Sequence, residues 1–80
     1  MEEKTEYEID AKTKADLENW FEYHTPKGDQ PRRYVEIRTK AKELAYVIAA
    51  CCPPCADRTV ALRALRDCVM NANASIACNE

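Results

Sequence analysis

The pair Pro53-Pro54 constrains the fold most, because it separates two stretches with helical periodicity. A proline inside a helix loses a backbone hydrogen bond and clashes with the preceding turn, so a helix must end before the pair. On the N-terminal side, apolar positions recur in steps of three and four at Tyr34, Ile37, Ala41, Leu44, Ile48 and Cys51. On the C-terminal side, they recur at Leu62, Leu65, Val69, Ala72 and Ile76. The pattern predicts two helices of about 20 residues, which a short link forces to be antiparallel.

Residues typical of helix ends support this hairpin. Asp29 or Gln30 can cap the first long helix, and Pro31 suits its first turn, where an N–H has no intrahelical partner. Asp57 falls in the first turn of the second long helix, where a carboxylate interacts favourably with the helix dipole.

The segment before the hairpin predicts a shorter helix. Asp10 can cap it, and Leu17, Trp20 and Phe21 would form its apolar face. A loop over residues 24–28 would follow, and Met1–Ile9 would be disordered. We therefore expect an acidic N-terminal arm over residues 1–20, which includes this short helix, and a helical-hairpin domain over residues 21–80, whose ligand-binding role is argued from its side chains below.

Eighty residues bury too little surface for a strong core, so we expect partners. Val47, Val60 and the Ala and Cys stripes would face other subunits. The predicted fold is thus all-α, an antiparallel two-helix hairpin with a short N-terminal helix, assembled as a homo-oligomeric helical bundle. The apolar run Leu44–Cys52 is too short for a bilayer span, and the N-terminus has no signal-peptide pattern, so we expect a cytosolic protein without a membrane partner.

Charge is divided unevenly along the chain. Residues 1–22 carry eight acids against three lysines, a net charge of −5, and residues 23–80 carry nine basic residues against six acids, a net charge of +3. An excess of three is too small for a DNA or RNA polymer, whose binding requires many phosphate contacts. It is sufficient for a ligand with two or three phosphates.

The chain contains five cysteines, an odd number without a secretion signal, which favours reduced thiols. Cys52 and Cys55 have the spacing of a redox dithiol or of half a zinc site, which Cys51 and His24 could complete only through a fold that the pattern does not indicate. A βαβ context and a second ligand pair are both missing from the pattern. We expect a turn with packing thiols, and neither a metal nor another cofactor.

His24, the only histidine, lies near Glu22 and Asp29, which leaves acid–base catalysis open as an alternative. No spacing supplies a nucleophile with an oriented base, so the simpler interpretation is a loop histidine bonded to backbone. We expect no enzymatic activity.

Aromatic and basic residues cluster between Trp20 and Lys42. The cluster comprises Trp20, Phe21, Tyr23, His24, Lys27, Arg32, Arg33, Arg38, Lys40 and Lys42. Rings stack on nucleobases and cations bind phosphate oxygens, so the cluster fits a nucleotide ligand. The alternative is that Trp20 and Phe21 are core residues and the cations form a solvated helix face. Arg38 and Lys42 share one face with Tyr34, which places both cations beside the packing seam.

Residues 21–79 resemble a known family. The similar motifs run in order through Phe21-Glu-Tyr-His-Thr-Pro26, Asp29-Gln30, Arg33-Tyr34, Ile37-Arg38, Ala41-Lys42, Cys52-Pro-Pro54, Arg58-Thr59, Ala61-Leu62, Leu65, Val69-Met-Asn-Ala-Asn-Ala74 and Ile76-Ala77. They resemble the phage anti-CBASS protein two, and a related helical hairpin occurs in the Thoeris anti-defence protein one.

The resemblance implies a phage-encoded sponge, working as a homohexamer in the host cytoplasm, that binds cyclic dinucleotides such as cGAMP without cleaving them and so blocks CBASS effector activation. Some members have a separate site for cyclic trinucleotides. This chain departs from the family pattern at Cys55, Asn71 and Cys78, and the last two positions affect the trinucleotide site.

On this basis the expected ligand-binding residues are Tyr23, His24, Pro26, Arg38 and Lys42. A second site would include Arg58, Asn71 and Asn73. Two other classes remain open. One is a helical-hairpin protein-interaction or antitoxin-like module with no nucleotide ligand, and the other is an enzyme that degrades the signal.

Overall fold

The fold is that of a computed structural model, which describes residues 6–80. Its elements are α1 (Ala11–Trp20), α2 (Gln30–Cys51) and α3 (Ala56–Asn79), and residues 6–80 contain no strand. α2 packs along α3, and α1 makes a smaller contact with α3. Bonds join Arg58 to Ala49 near the turn and Gln30 to Glu80 at the other end, so the two long helices are antiparallel. The all-helical hairpin is therefore confirmed.

α1 begins at the predicted cap. The Asp10 carboxylate accepts a hydrogen bond of 2.7 Å from the backbone N–H of Thr13. Hydrogen bonding with the Thr13 side chain, and then with this N–H, holds the pKa of Asp10 below its ordinary value. Residues Glu6–Ile9 precede the cap as exposed, irregular chain, whereas Met1–Thr5, part of the predicted disordered segment, lie outside the described residues.

The predicted apolar face of α1 needs correction. Phe21 lies beyond the last residue of the helix and is 84% exposed, and Leu17 and Trp20 are exposed as well. α1 is anchored through a polar contact instead: the Asn19 side chain donates to the Cys78 carbonyl at 2.8 Å. The aromatic side chains of this segment are therefore not core residues of the protomer.

The hairpin seam consists of small and medium apolar residues. On α3 it contains the five predicted positions, from Leu62 to Ile76. On α2 the half-buried positions include Ala45, whereas the predicted Leu44 and Cys51 are exposed. Apolar positions that strictly alternate in steps of three and four have a period of 3.5, so they drift around a straight helix of 3.6 residues per turn. Ala45 also lets α2 approach α3 more closely than Leu44 would. Ile76 is the only buried apolar residue within residues 6–80.

α2 begins and ends where the sequence predicts. Asp29 precedes the helix and Pro31 lies in its first turn, although the Asp29 carboxylate bonds to Arg32 and Arg33 and not to a backbone N–H. The helix ends at Cys51, directly before the turn that contains the proline pair. α3 then begins at Ala56 and carries Asp57 in its first turn, as predicted.

The open end of the hairpin is closed by polar contacts. Arg33 donates to both carboxylate oxygens of Glu80, with an Nη1···Oε2 distance of 2.7 Å, and Gln30 donates to Glu80 at 3.1 Å. The hydrogen bond from Arg33 is the main reason why the pKa of Glu80 falls to about 2 and that of Arg33 rises. These contacts tie the end of α3 to the start of α2.

The protomer leaves far more surface exposed than a compact chain does. Its accessible surface is 7134 Å², against about 4,900 Å² expected for a compact chain of this mass. Its radius of gyration is 18.3 Å, against about 12 Å for a compact domain. The excess, about 2,000 Å², is larger than the roughly 800 Å² per partner of a standard interface.

None of the helices in residues 6–80 has the combination of length and apolar character that crossing a membrane requires.

We predict that the protein self-associates, because Tyr46, Val47 and Val60 stay exposed on the hairpin and one seam cannot cover them. Light scattering at micromolar concentration should give a mass that is a multiple of 9.1 kDa. A folded species with the mass of one chain at that concentration would contradict the prediction.

We predict that Glu80→Gln lowers the thermal midpoint of unfolding at pH 7. Because the folded pKa of Glu80 is lowered from 4.5 to about 2, its contribution to stability is present above pH 4.5 and is lost as the pH falls towards 2. Circular dichroism melts of the two proteins at fixed concentration should therefore differ at pH 7 and converge at low pH.

Glu22→Gln is the matched control for Glu80→Gln, since the Glu22 carboxylate is exposed and has no ion pair within residues 6–80. It should leave the midpoint near the wild-type value throughout. A Glu80→Gln effect that is the same at pH 7 and pH 2.5 would show that the charge is not responsible.

Candidate functional site

The loop between α1 and α2 holds Tyr23 next to a histidine that is hydrogen-bonded to backbone. His24 Nε2 lies 2.7 Å from the Asn19 carbonyl oxygen, which only accepts, so Nε2 carries the proton. Asn19 is itself bonded to Cys78 on α3. Tyr23, next to His24, is 81% exposed. The histidine therefore acts as a backbone-bonded loop residue and leaves the Tyr23 ring open to a ligand or partner.

A tight turn closes the other side of this loop. The buried Gln30 side chain accepts from the Lys27 N–H at 3.1 Å, and the Gln30 N–H donates to the Lys27 carbonyl at the same distance. Gly28 has φ 59°, a left-handed conformation that glycine adopts without a steric penalty. Pro26 is exposed within this loop.

Arg38 and Lys42 lie one turn apart on α2, and both side chains are exposed. Neither forms an ion pair within residues 6–80, whereas Arg32 and Lys40 on the same helix are paired with acids. Two adjacent cations without a carboxylate partner form a local positive surface that suits a phosphate ligand.

The structure does not join Tyr23 to these cations within one protomer. No hydrogen bond within residues 6–80 links the loop to Arg38, and Arg38 lies eight residues into α2, about 12 Å along the axis from Gln30. The expected site residues therefore divide into a loop group, Tyr23, His24 and Pro26, and a helix group, Arg38 and Lys42.

Lys42 also borders an open groove between the long helices, with a volume of about 260 Å³. We call this the interhelical groove; its lining residues are Ala41, Lys42, Ala45, Leu62, Leu65, Arg66, Val69 and Met70. Arg66 supplies a second cation, from α3. Sequence reasoning missed Arg66, although its place between Leu62 and Val69 puts it beside the α3 seam, as Lys42 lies beside the α2 seam.

The residues of the second expected site lie apart within one protomer. Arg58 donates to the carbonyls of Ala49 and Cys52 at 3.1 and 3.3 Å and so caps the end of α2. Asn73 lies 15 residues further along α3, about 22 Å away along the axis. Asn71 is bonded to the carbonyl of Asp67, one turn earlier.

Asn73 has an unusual environment. Its Oδ1 atom is buried and has no hydrogen-bond partner within the described residues. A buried carbonyl without a donor destabilises a fold, so Asn73 carries a local cost that no hydrogen bond within the described residues offsets.

The cysteines do not group into a metal site. Cys51, Cys52 and Cys55 are free and exposed around the interhelical turn. No set of three His, Cys, Asp or Glu residues within residues 6–80 is arranged to hold a metal ion. The Cys52 carbonyl, and not its thiol, has the structural contact, as an acceptor for Arg58.

Comparison with known proteins gives one match. A family model described as "Acb2/Tad1, hairpin domain" matches residues 13–77, which include most of α1 and nearly all of the hairpin. No curated protein and no solved structure matches the chain significantly.

We predict that Arg58→Gln destabilises the fold by about 1–2 kcal/mol, because two carbonyls at the end of α2 lose a charged donor. Urea unfolding followed by circular dichroism measures this. Arg63→Gln, on the next turn of the same helix, is the control, because Arg63 has no bond to a carbonyl or carboxylate within residues 6–80. Equal stability of the two variants would mean that the Arg58 contacts contribute nothing.

Proposed function

We propose, because this chain belongs to the Acb2/Tad1 hairpin family, that it binds and sequesters cyclic oligonucleotide second messengers without cleaving them. The family is one of phage anti-defence proteins of the sponge type. The observation that carries the proposal is the pair Arg38 and Lys42, two exposed cations one turn apart without an acid partner within residues 6–80.

The binding site is proposed to lie between protomers. The interhelical groove holds about 260 Å³, below the roughly 300–1,000 Å³ of pockets that enclose drug-sized ligands. A two-fold interface presents each side chain twice, which matches the two bases and two phosphates of a cyclic dinucleotide such as cGAMP. The uncovered surface of the protomer supplies the area for such an interface.

Each expected residue then has a role. Tyr23 stacks on a base, and Arg38 with Lys42 binds the phosphates. His24 and Pro26 shape the loop that holds Tyr23 at the rim, since His24 is fixed to the Asn19 carbonyl. This arrangement joins the loop group of one protomer to the helix group of another. Binding of this kind requires neither a nucleophile nor a cofactor.

A second, cyclic trinucleotide site would also have to combine protomers, because Arg58 and Asn73 lie far apart on α3. Asn71 is exposed, Asn73 lies on a different face of α3, and the buried Asn73 Oδ1 would have to become accessible before it could accept from an amino group of a base. We assign this second site to the same homo-oligomer, a hexamer in the proposal.

The biological consequence follows from sequestration. In the cytoplasm of an infected bacterium, a phage-encoded protein that holds these messengers keeps their concentration below what CBASS effectors require. The protein itself, as an oligomer, and the cyclic nucleotides are its proposed partners; polymeric nucleic acids and membranes are not.

A protein-interaction module without a nucleotide ligand is the second candidate function. It is favoured by one observation, the exposure of Phe21, Tyr23, Tyr46 and Val60, which are side chains typical of protein interfaces.

We predict that Tyr23→Ala weakens binding of the preferred cyclic dinucleotide by at least about 30-fold, since a two-fold site loses stacking of about 1–3 kcal/mol on each of two bases. Tyr23→Phe keeps the ring and should bind nearly as well as the wild type. Isothermal titration calorimetry against a panel of cyclic di- and trinucleotides measures both, after light scattering has established equal oligomeric size.

Arg38→Gln should weaken binding similarly and reduce its dependence on salt, because an ion pair with phosphate is lost. Arg32→Gln is the matched control, since Arg32 is already paired with Asp29 and Glu36.

Ligand released by denaturing the complex should be intact. If correctly assembled Tyr23→Ala binds with wild-type affinity, the site assignment is wrong. If the wild-type protein binds no cyclic nucleotide, the interaction module is favoured. If the recovered ligand is cleaved, sequestration without cleavage is wrong.

A further inference from the structure

The segment Glu6–Asp10 has a pattern that the proposed function does not use. Acids at Glu6, Glu8 and Asp10 alternate with Tyr7 and Ile9. When such a segment docks in an extended conformation, alternate side chains point to opposite sides, so one side is acidic and the other apolar. Tyr7 is 85% exposed and Ile9 is 52% exposed, so neither apolar side chain is buried on its own protomer.

The interhelical groove has the complementary character. Its floor is apolar, formed by residues such as Ala45, Leu62 and Leu65, and Lys42 and Arg66 flank it with one cation from each helix. Within residues 6–80 neither cation has an ion pair. An open groove of about 260 Å³ does not enclose a dinucleotide, but its apolar floor can take one or two apolar side chains.

We propose that the segment Glu6–Asp10 of one copy docks into the interhelical groove of a second copy. Tyr7 and Ile9 lie on the apolar floor, and the flanking carboxylates pair with Arg66 and, in the nucleotide-free protein, with Lys42, where they take the place of the phosphate of the proposed function. Apolar contact gives such a segment its affinity, and the charges fix its position and direction.

The occupant is a second copy for two reasons. In the folded protomer the segment remains exposed although α1 is already anchored on α3 through Asn19. The protomer also leaves about 2,000 Å² more surface uncovered than a compact chain, so copies are expected to meet. The segment precedes residues 13–77, which match the family model, so it lies outside the family hairpin.

Zero-length cross-linking of the full protein tests the inference without any nucleotide. A carbodiimide condenses a carboxylate with a lysine amine to an amide and takes up the released water as a urea. In light and ¹⁵N-labelled chains refolded together, Glu6 or Glu8 should be joined to Lys42 in light–heavy pairs. Lys40 is the internal control, because it is 73% exposed and lies outside the groove.

A variant separates docking from random encounter. Tyr7→Ser with Ile9→Ser keeps every carboxylate but removes the apolar anchors, and should lower the Lys42 cross-link at least fivefold. Phe21→Ser, which removes an equally exposed aromatic ring, should leave it unchanged.

Three results would overturn the proposal. Cross-links of Glu6 and Glu8 to Lys42 found only within one chain would place the segment on its own groove. Yields at Lys42 no higher than at Lys40 would indicate no docking. Cross-links between chains from Lys42 to acids of α2 or α3 alone would indicate that another hairpin covers the groove.

Discussion

The seam between α2 and α3 is the contact on which the rest of the structure depends. Ala41 and Ala45 on α2 face Leu62 and Leu65 on α3, and the small alanine side chains let the helices approach closely. A pair of helices has only one such seam, so the remaining faces of both helices stay uncovered. The loop, the cations and the acidic segment are all positioned by a contact that buries little surface itself.

Polar contacts at both ends of the hairpin, here called clamps, fix the helix register that the seam alone leaves open. Arg58 holds the carbonyls at the end of α2 beside the turn, and Glu80 holds Arg33 and Gln30 at the open end. Because the apolar residues repeat regularly, they do not by themselves exclude a slip of one helix past the other. A slip by one turn would break both clamps, so the clamps fix the register.

The sequence predicted the elements better than their contacts. Proline positions and apolar spacing were sufficient for α2 and α3, and Asp10 marked the start of α1, because these signals act within a few residues along the chain. These signals did not predict that Ala45 lies in the seam in place of Leu44, nor that Arg33 pairs with Glu80. Both depend on helix register, which local periodicity fixes only to within a turn.

The same limit applies to the candidate site. Tyr23, Arg38 and Lys42 were identifiable as an exposed aromatic residue and cations, and the structure leaves all three exposed. Their spatial relation was not predictable, because the loop and the helix group lie apart in one protomer. Arg66 was missed because it belongs to the other helix of the hairpin. Only the pairing of α2 with α3 brings it to the groove beside Lys42.

An open hairpin also explains why binding and assembly are expected to depend on each other here. A compact domain can build a pocket from its own core, but this protomer has only Ile76 as a buried apolar residue within residues 6–80. The proposed site therefore uses walls from more than one copy. A ligand that contacts two copies stabilises their association, and by the same linkage association raises the affinity for the ligand. In this proposal, substitutions at exposed apolar positions such as Val60 would change ligand affinity without touching the ligand, and a measurement of oligomeric size would separate that effect from loss of a direct contact.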